Sequence, residues 1–397
     1  MSQTTRPTAL LYCELRRGLD HWMRTVELAK SLARSSRVVI AVTTEFPVSA
    51  PPDVELVTFR ERGHFPCYTE AGEEKAPLGG HLIALAEHIR PSVIVLEYFP
   101  FGREKAAIYL VPFLAAMRRT SFRPAIVASM RDQGEGPLAR QDEFDGRVVS
   151  AVNRLFDMVL VHADPAITTL AATFARASDL DVPVHHTGYL LPALPAVMLR
   201  DRERRVLVSA GGGRDGMDLL ASAIAAQRTT ALGRDYQMRV VAGPLRSDTD
   251  WQRLVGVGAG VPGLELVRSV PDLAAELRGA AVSVTRGGYG TLLDVVRTGT
   301  PGVVVPHREA GDDEQWFRAR RFEEFGGLRL VGEHELAPET LAAAIREAVA
   351  LVPRPPAIEW GGADRSAAAI DELVRNSGRP SARAPAGPAS STPVVRA

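Results

Sequence analysis

The stretch VLVSAGGGRDGMDLL, residues 206–220, decides the fold class. An apolar run of strand length leads into Gly211, Gly212 and Gly213, and a segment of helical period follows the glycines. The glycines let the backbone approach a ligand closely, and the free N–H groups at the start of the next helix attract an anion. Because the Walker lysine and the complete G-x-G-x-x-G spacing are missing, a tight strand-to-helix turn without a ligand stays an alternative.

Strand-length apolar runs alternate with helical segments on both sides of this stretch, which indicates parallel sheets joined by crossover helices. The alternation begins at ALLYCEL, breaks at the proline-rich YLLPALPAVMLRDRERR, and resumes at RVLVSAGGG. We therefore predict an α/β protein of two Rossmann-like doubly wound domains with a ligand cleft between them. The predicted boundaries are a first domain at 1–190, a linker at 191–204, a second domain at 205–376 and a disordered tail at 377–397.

Composition and charge exclude several classes of function. Lys and Arg together number 47, and so do Asp and Glu, so we expect no general nucleic-acid binding. Neither Cys13 nor Cys67 stands in a C-x-x-C or Cys/His cluster, which argues against structural zinc and for a reducing compartment. Because the chain has neither a signal-peptide pattern nor an apolar run of about 18 residues, we expect a cytoplasmic protein without a transmembrane segment.

One apolar segment with terminal arginines, AAIYLVPFLAAMRR at 106–119, has two interpretations. Its apolar face suits a helix that covers the sheet, which we favour. The same composition leaves a peripheral contact with a membrane surface open.

A second glycine-bearing stretch, VTRGGYGTLLDVVRTGTPGVVVPH at 284–307, repeats the strand–glycine–helix design. Asp294 lies about one turn inside the helix, where it could reach a ribose diol or merely complement the positive helix end. The residues predicted to form a second anion cradle are Arg286, Gly287, Gly288, Gly290 and Thr291.

The segment REAGDDEQWFRARR, 308–321, is an acidic loop that runs into a basic amphipathic helix. Asp313, Glu314 and Gln315 offer the orientable hydrogen bonds that sugar hydroxyls need, although a charged helix start is the alternative. Nothing nearby supplies metal ligands at a suitable spacing, so we expect no metal and no other cofactor.

The segment GLDHWMR, Gly18 to Arg24, follows the first apolar run and begins a helix. A helix start disfavours the imidazolium form of His21 and so favours a neutral catalytic base, whereas the charge of Asp20 acts in the opposite direction. We interpret Asp20 as the N-cap of this helix and an orienter of His21. The alternative is that His21 only packs at the helix start.

Three further polar residues follow strand-like runs in the first half, namely Glu97, Arg131 and Asp132. Together with Arg24 they are predicted to meet a second substrate, because ligands bind at the carboxyl ends of parallel strands. Each of the three could equally be structural.

The order of these segments resembles the glycosyltransferases of family 28, the MurG-like type with the GT-B fold. The resemblance covers nearly the whole chain before the tail and is most specific at 264–320. It implies that the first domain binds the acceptor and the second the nucleotide sugar. In that family a backbone group recognises the base, an acidic side chain holds the ribose, glycine loops hold the diphosphate, and a D-x-x-Q segment contacts the sugar. By this resemblance the backbone at Val270 would recognise the base, and Asp294 would hold the ribose. Gly212, Gly213, Gly287 and Gly288 would hold the diphosphate, and Glu314 and Gln315 would contact the sugar. Ser269 replaces an aromatic residue that caps the donor.

The first segment is also similar to the G-x-G-H-x-M-R pattern of the nucleotide-sugar hydrolase of pseudaminic acid synthesis, in which the histidine is thought to activate water. It matches at Gly18, His21, Met23 and Arg24, but Asp20 stands in place of the second glycine.

The resemblance to family 28, with glycine loops that can stabilise a diphosphate without a metal ion, predicts a metal-independent glycosyltransferase. It would move a sugar from a nucleotide sugar, foremost a UDP-sugar, to an acceptor hydroxyl or amine. The acceptor is unidentified and could be a small metabolite, a lipid or a polysaccharide intermediate. A nucleotide-sugar hydrolase with water as acceptor, a binding protein without turnover and, more remotely, an epimerase stay as alternatives.

Overall fold

The structure is a computed structural model. It describes residues 6–14, 19–43, 49–59, 77–134, 140–194, 202–212, 215–230, 232–308, 313–354 and 357–377.

Two parallel β-sheets form the framework. The first has seven strands in the order β3-β2-β1-β4-β5-β6-β7, and the second has six in the order β10-β9-β8-β11-β12-β13. The strands of the first sheet are β1 Thr8–Cys13, β2 Arg37–Val42, β3 Val54–Thr58, β4 Val93–Glu97, β5 Ala125–Arg131, β6 Met158–His162 and β7 Val184–His186. Those of the second are β8 Glu203–Ser209, β9 Gln237–Val241, β10 Leu264–Val267, β11 Ala280–Thr285, β12 Gly302–Val304 and β13 Leu328–Leu330. The predicted fold class, two Rossmann-like domains, is confirmed.

Helices cover both faces of each sheet. In the first domain α2, α3 and α4 pack on the face that carries Leu10 and Tyr12, while α1 packs on the face of Ala9 and Leu11. The first-domain helices are α1 Asp20–Leu32, α2 Pro77–Ile89, α3 Ala107–Met117 and α4 Gln141–Leu155. Those that follow are α5 Met217–Thr229, α6 Leu232–Asp235, α7 Asp248–Gly258, α8 Leu273–Gly279, α9 Tyr289–Arg297, α10 Glu314–Glu323, α11 Pro338–Val349 and α12 Gly362–Ser377. Burial on both faces explains why the central strands are unbroken apolar runs.

The strand order places one switch point in each sheet, and ligands bind beside such points at the carboxyl ends of the strands. In the first sheet β1 lies between β2 and β4, and in the second β8 lies between β9 and β11. The carboxyl ends of β1 and β4 are therefore neighbours in one domain, and those of β8 and β11 are neighbours in the other.

The last helix returns to the first domain. Ala367 and Ile370 of α12 are buried in the same core as Trp22 of α1, and the hydroxyl of Ser31 donates a hydrogen bond to Asp364 at 2.7 Å. The predicted boundaries put this helix in the second domain and start that domain at 205, whereas β8 already begins at Glu203. An amphipathic pattern shows which helix face is buried but not which sheet it covers, so the sequence could not reveal this return.

The apolar segment at 106–119 forms α3, whose Leu110, Phe113 and Leu114 are buried against the sheet. Ile108 on the outer side is 50% exposed. Among the described residues no helix is both long and apolar enough to cross a membrane.

Candidate active site between the two domains

A cleft of about 560 Å³ lies between the two domains at their switch points. One wall is the face of α1 that carries Asp20, and the other is built from the loops after β8, β9, β10 and β11 together with the first turns of α9. The predicted site residues that line the cleft are Asp20, Arg24, Gly211, Gly212, Val270, Gly290, Thr291 and Asp294. The topology thus brings together residues from both halves of the sequence.

His21 lies just behind the α1 wall and is held by Glu97 at the end of β4. Its Nδ1 is 2.7 Å from Oε2 of Glu97, and its side chain is 12% exposed. We assign the ring hydrogen to Nδ1, which donates to the carboxylate and leaves Nε2 unprotonated. Nε2 has no hydrogen-bond partner within the described residues, so it is available to accept a proton.

Burial decides the charge of His21. Burial lowers the pKa of His21 to about 4, against the opposing effect of the Glu97 carboxylate. Burial also acts to raise the pKa of Glu97, but its interactions with His21 and Arg24, hydrogen bonds from both included, outweigh burial and keep that pKa below its usual range. At neutral pH the pair is therefore a neutral imidazole hydrogen-bonded to a carboxylate, which is the protonation state that a general base needs.

Arg24 shares the same carboxylate. Its Nε and Nη2 lie 3.1 and 2.5 Å from Oε1 of Glu97, and its guanidinium lies over the ring of Tyr289 at 4.9 Å from the centroid. Arg24 and Glu97 were both predicted to face the acceptor. Instead, Glu97 positions His21, and Arg24 lines the inter-domain cleft.

Asp20 neither caps α1 nor holds His21, and that prediction is wrong. The N-cap is Leu19, which has a helical backbone, with φ −77° and ψ −21°, and no side-chain cap bond. A capping side chain needs a non-helical N-cap backbone, which the residue before the helix does not offer here. The Asp20 carboxylate instead faces the start of α9, where Oδ1 lies 2.9 Å from the position that a Cβ at Gly290 would take.

The two glycine loops come close to α1. Gly211 has a φ of +86°, which favours glycine, and a Cβ at Gly212 would lie 3.3 Å from the backbone nitrogen of Leu19. Gly288 is the N-cap of α9, and a Cβ there would lie 3.7 Å from Oδ2 of Asp20. Gly213 lies outside the described residues.

Two residues predicted in the donor site support the second glycine loop from behind. Arg286 donates to both carboxylate oxygens of Asp218 at 2.6 and 2.7 Å and to Glu333 at 2.9 Å. Oε1 of Gln315 accepts from the backbone nitrogens of Gly287 at 3.1 Å and His307 at 3.0 Å. Neither Arg286, Gly287 nor Gln315 belongs to the described lining of the cleft.

Asp313, which was also predicted to contact the donor sugar, lies at the surface just before α10. Its Oδ1 accepts a 2.7 Å hydrogen bond from Nε of Arg308, and about half of each side chain is exposed. Asp313 is not part of the described cleft lining either.

A buried ionic network joins the domains and uses three more of the predicted site residues. Arg318, 1% exposed, donates two 2.6 Å hydrogen bonds to Asp132, which is 2% exposed. Glu314 pairs with both Arg318 and Arg131. Burial acts to raise the pKa of Glu314, but the two arginines lower it to about 2. The predicted sugar contact of Glu314 and acceptor contacts of Arg131 and Asp132 therefore give way to an inter-domain connection.

Sequence reasoning could not find this network, because 186 residues separate Asp132 from Arg318. It also missed Tyr289, whose hydroxyl donates to the carbonyl of His162 at 3.0 Å and accepts from the nitrogen of Leu190 at 3.2 Å. Helical spacing from Asp20 could have indicated further cleft residues, because it places several other side chains on the same face of α1. These cleft-lining residues are Met23, Glu27 and Lys30.

Asp294 lies farther along the cleft, on α9. Its Oδ1 accepts from Nε of Arg297 at 2.8 Å. Burial raises the pKa of Asp294, and Arg297 counteracts that effect. The carboxylate is thus held in place in the same cleft as Val270, and its contact with a ribose stays a prediction.

Comparison with known proteins identifies the family. Residues 206–355 match the glycosyltransferase family 28 C-terminal domain. The UDP-N-acetylglucosamine--N-acetylmuramyl-(pentapeptide) pyrophosphoryl-undecaprenol N-acetylglucosamine transferase of Caulobacter vibrioides is 31% identical over 295 residues, which are 69% of this chain and 80% of that protein. The chain belongs to glycosyltransferase family 28. The transferase of the same name from Rubrobacter xylanophilus is 27% identical over 208 residues, 52% of this chain and 58% of the relative.

Solved structures of glycosyltransferases share the whole two-domain architecture. The calicheamicin glycosyltransferase CalG4 aligns over 95% of this chain and 96% of its own, with a TM-score of 0.57 and 17% identity. MurG of Acinetobacter baumannii aligns over 92% and 99%, with a TM-score of 0.56 and 13% identity. This family 28 glycosyltransferase therefore has the GT-B fold, as the resemblance implied.

Proposed function

We propose that this glycosyltransferase moves a sugar from a UDP-sugar to an acceptor hydroxyl or amine, with His21 as general base. The observation that carries the proposal is the His21–Glu97 pair beside a cleft whose opposite wall consists of glycine loops. Relatives named as UDP-N-acetylglucosamine-dependent transferases support a uridine nucleotide as the donor. The acceptor is a small metabolite, a lipid or a polysaccharide intermediate, and the enzyme acts in the cytoplasm.

The cleft supports an extended donor that runs from the loop after β10 to the start of α9. The base lies against the backbone at Val270, and the ribose hydroxyls bind Asp294. The diphosphate lies at Gly211, Gly212 and the first turn of α9, where backbone N–H groups stabilise the negative charge that grows on the leaving group.

In the transfer step the acceptor oxygen attacks the anomeric carbon and the bond from that carbon to the diphosphate breaks. Nε2 of His21 takes the acceptor proton, and UDP leaves with the electron pair of the broken bond. Glu97 stabilises the imidazolium that forms, because its carboxylate already accepts from Nδ1.

A donor panel tests this function. The purified protein is incubated with UDP-, GDP- and dTDP-sugars, first in water and then with candidate acceptors, and nucleotide release is measured. We expect acceptor-dependent UDP release, whereas free sugar and UDP from water alone would establish the hydrolase instead. Binding without turnover across the panel would establish a nucleotide-sugar-binding protein.

Variants and chelation sharpen the same test. His21→Ala should abolish product while UDP affinity stays, and His185→Ala, at an exposed histidine of β7, should leave both unchanged. Loss of UDP binding in His21→Ala would contradict the base assignment. The described residues contain no group of three or more His, Cys, Asp and Glu that could hold a metal ion. We expect the rate to survive EDTA, and a rate restored only by added divalent metal would refute metal independence.

A further inference from the structure

The Asp20 carboxylate lies where the donor diphosphate would meet α9. Its Oδ1 is 2.9 Å from the position of a Cβ at Gly290, and its Oδ2 is 3.7 Å from that of Gly288. The first N–H groups of a helix lack intrahelical partners and favour a negative charge, whether it comes from a side chain or from a phosphate. Asp20 and Thr291 line the same cleft, so ligand and carboxylate approach one helix start.

A second observation indicates that this part of the cleft favours an anion. Arg24 is 2% exposed and lines the cleft, and its Nη1 has no hydrogen-bond partner within the described part of the chain. Its other guanidinium nitrogens bind Glu97. A buried N–H donor without a partner is costly, and the positive charge of this cleft-lining guanidinium favours an anion nearby.

We propose that Asp20 is an internal anion that occupies the diphosphate position at the start of α9 and competes with the donor. This inference rests on the proposed function. Donor binding displaces the carboxylate, and product release allows it to return. Asp20 therefore weakens the binding of ligands that carry a diphosphate and leaves the binding of an uncharged nucleoside unaffected. It stands where the similar hydrolase pattern has its second glycine, so the competition is a property of this chain's own residue.

The test compares UDP with uridine in Asp20→Asn, which removes the charge and keeps the size of the side chain. We expect titration calorimetry to show UDP binding tightened about tenfold, the order expected when a nearby like charge is removed from a partly buried site. Uridine affinity should not change. Asp20→Gly should also tighten UDP binding. It tests the proposal in case the asparagine side chain of the first variant still occupies the start of α9.

The matched control is Asp272→Asn. Asp272 also lines the cleft, but in the loop after β10, two residues beyond Val270. Its Oδ1 caps α8 by accepting from the nitrogen of Ala275 at 3.0 Å, a role that asparagine keeps. This variant should leave the ratio of UDP to uridine affinity unchanged. Thermal unfolding of each variant verifies that the fold is intact.

Three results would overturn the inference. UDP binding that is unchanged or weaker in both Asp20 variants would show that the carboxylate does not compete. Equal tightening of UDP and uridine would show a general loosening of the cleft. If the wild-type protein bound neither ligand, the proposed function would fail and this inference with it. The first two results overturn only the inference, so the two failures are distinguishable.

Discussion

The Nδ1 atom of His21 lies 2.7 Å from Oε2 of Glu97, although 76 residues separate the two in the chain. His21 lies in the first turn of α1, which follows β1, and Glu97 ends β4. The two strands are neighbours at the switch point of the first sheet. The other oxygen of Glu97 accepts from Arg24, which lines the cleft. A single carboxylate therefore joins the candidate base to the wall of the donor site.

Glu97→Gln should lower kcat about 100-fold, within the range that general-base catalysis contributes. The amide cannot stabilise the imidazolium as a carboxylate does, so proton transfer to His21 becomes harder. UDP affinity, measured by calorimetry, should stay within about twofold. Glu55→Gln, at an exposed glutamate that pairs with Arg37, is the control and should leave kcat unchanged. A Glu97→Gln enzyme with wild-type kcat would contradict the role of Glu97.

Acid should begin to destabilise the protein at pH values well above the usual pKa of carboxylates. Burial lowers the pKa of His21 to about 4 and that of His162 to about 3, against an ordinary value of 6.5. Between pH 6.5 and about 4 the unfolded chain binds protons that the folded state excludes, so stability is present above pH 6.5 and is lost as the pH falls. Two such groups give a slope of up to about 2.7 kcal/mol per pH unit.

Denaturant unfolding at pH 7, 6 and 5 measures this slope. His21→Gln should reduce the slope by about one proton, or roughly 1.4 kcal/mol per pH unit. The control His185→Gln, at an exposed histidine, should leave the slope as it is. A flat free energy of unfolding between pH 7 and 5 would mean that the two buried histidines are protonated in the folded state.

Arg318→Met should cost about 3–5 kcal/mol of unfolding free energy, because it leaves the buried carboxylates of Asp132 and Glu314 without this partner. Arg320→Met on the same helix removes an exposed pair with Glu323 and should cost about 0.5 kcal/mol or less. Denaturant titration of both variants checks the difference. Similar losses in the two variants would argue against a stabilising connection between the domains.

Asp294→Asn should weaken UDP binding by about 10- to 100-fold, the value of one hydrogen bond to a charged group. The wild-type protein should bind UDP more tightly than 2′,3′-dideoxy-UDP, because only UDP carries the hydroxyls that the carboxylate would accept from. In the variant this preference should largely disappear. A preference that persists in Asp294→Asn would place the ribose elsewhere.

Much of the fold could be predicted from the local pattern of the chain. Runs such as AIVASM and VLVSA are apolar throughout because parallel strands are buried on both faces, and the glycines after β8 and β11 mark their turns. The same local logic singled out His21 and Asp294 as candidates, and the family resemblance singled out Val270. It failed for Arg131, Asp132 and Glu314, because nothing near them in the chain shows that their partners come from the other domain.

The amino-acid sequence alone was sufficient for two Rossmann-like domains and their glycine loops, since strand and helix periods and turn residues act over a few positions. The family came from the resemblance in the order of its segments. The packing of one domain on the other assigned the roles. In the folded protein His21 forms its hydrogen bond with Glu97 rather than with Asp20, and Glu314 pairs with two arginines. The Asp20 carboxylate lies against the start of α9. These outcomes depend on burial and charge between segments that are distant in the chain, where the free energy of an ionised group is decided by neighbours that local patterns do not encode.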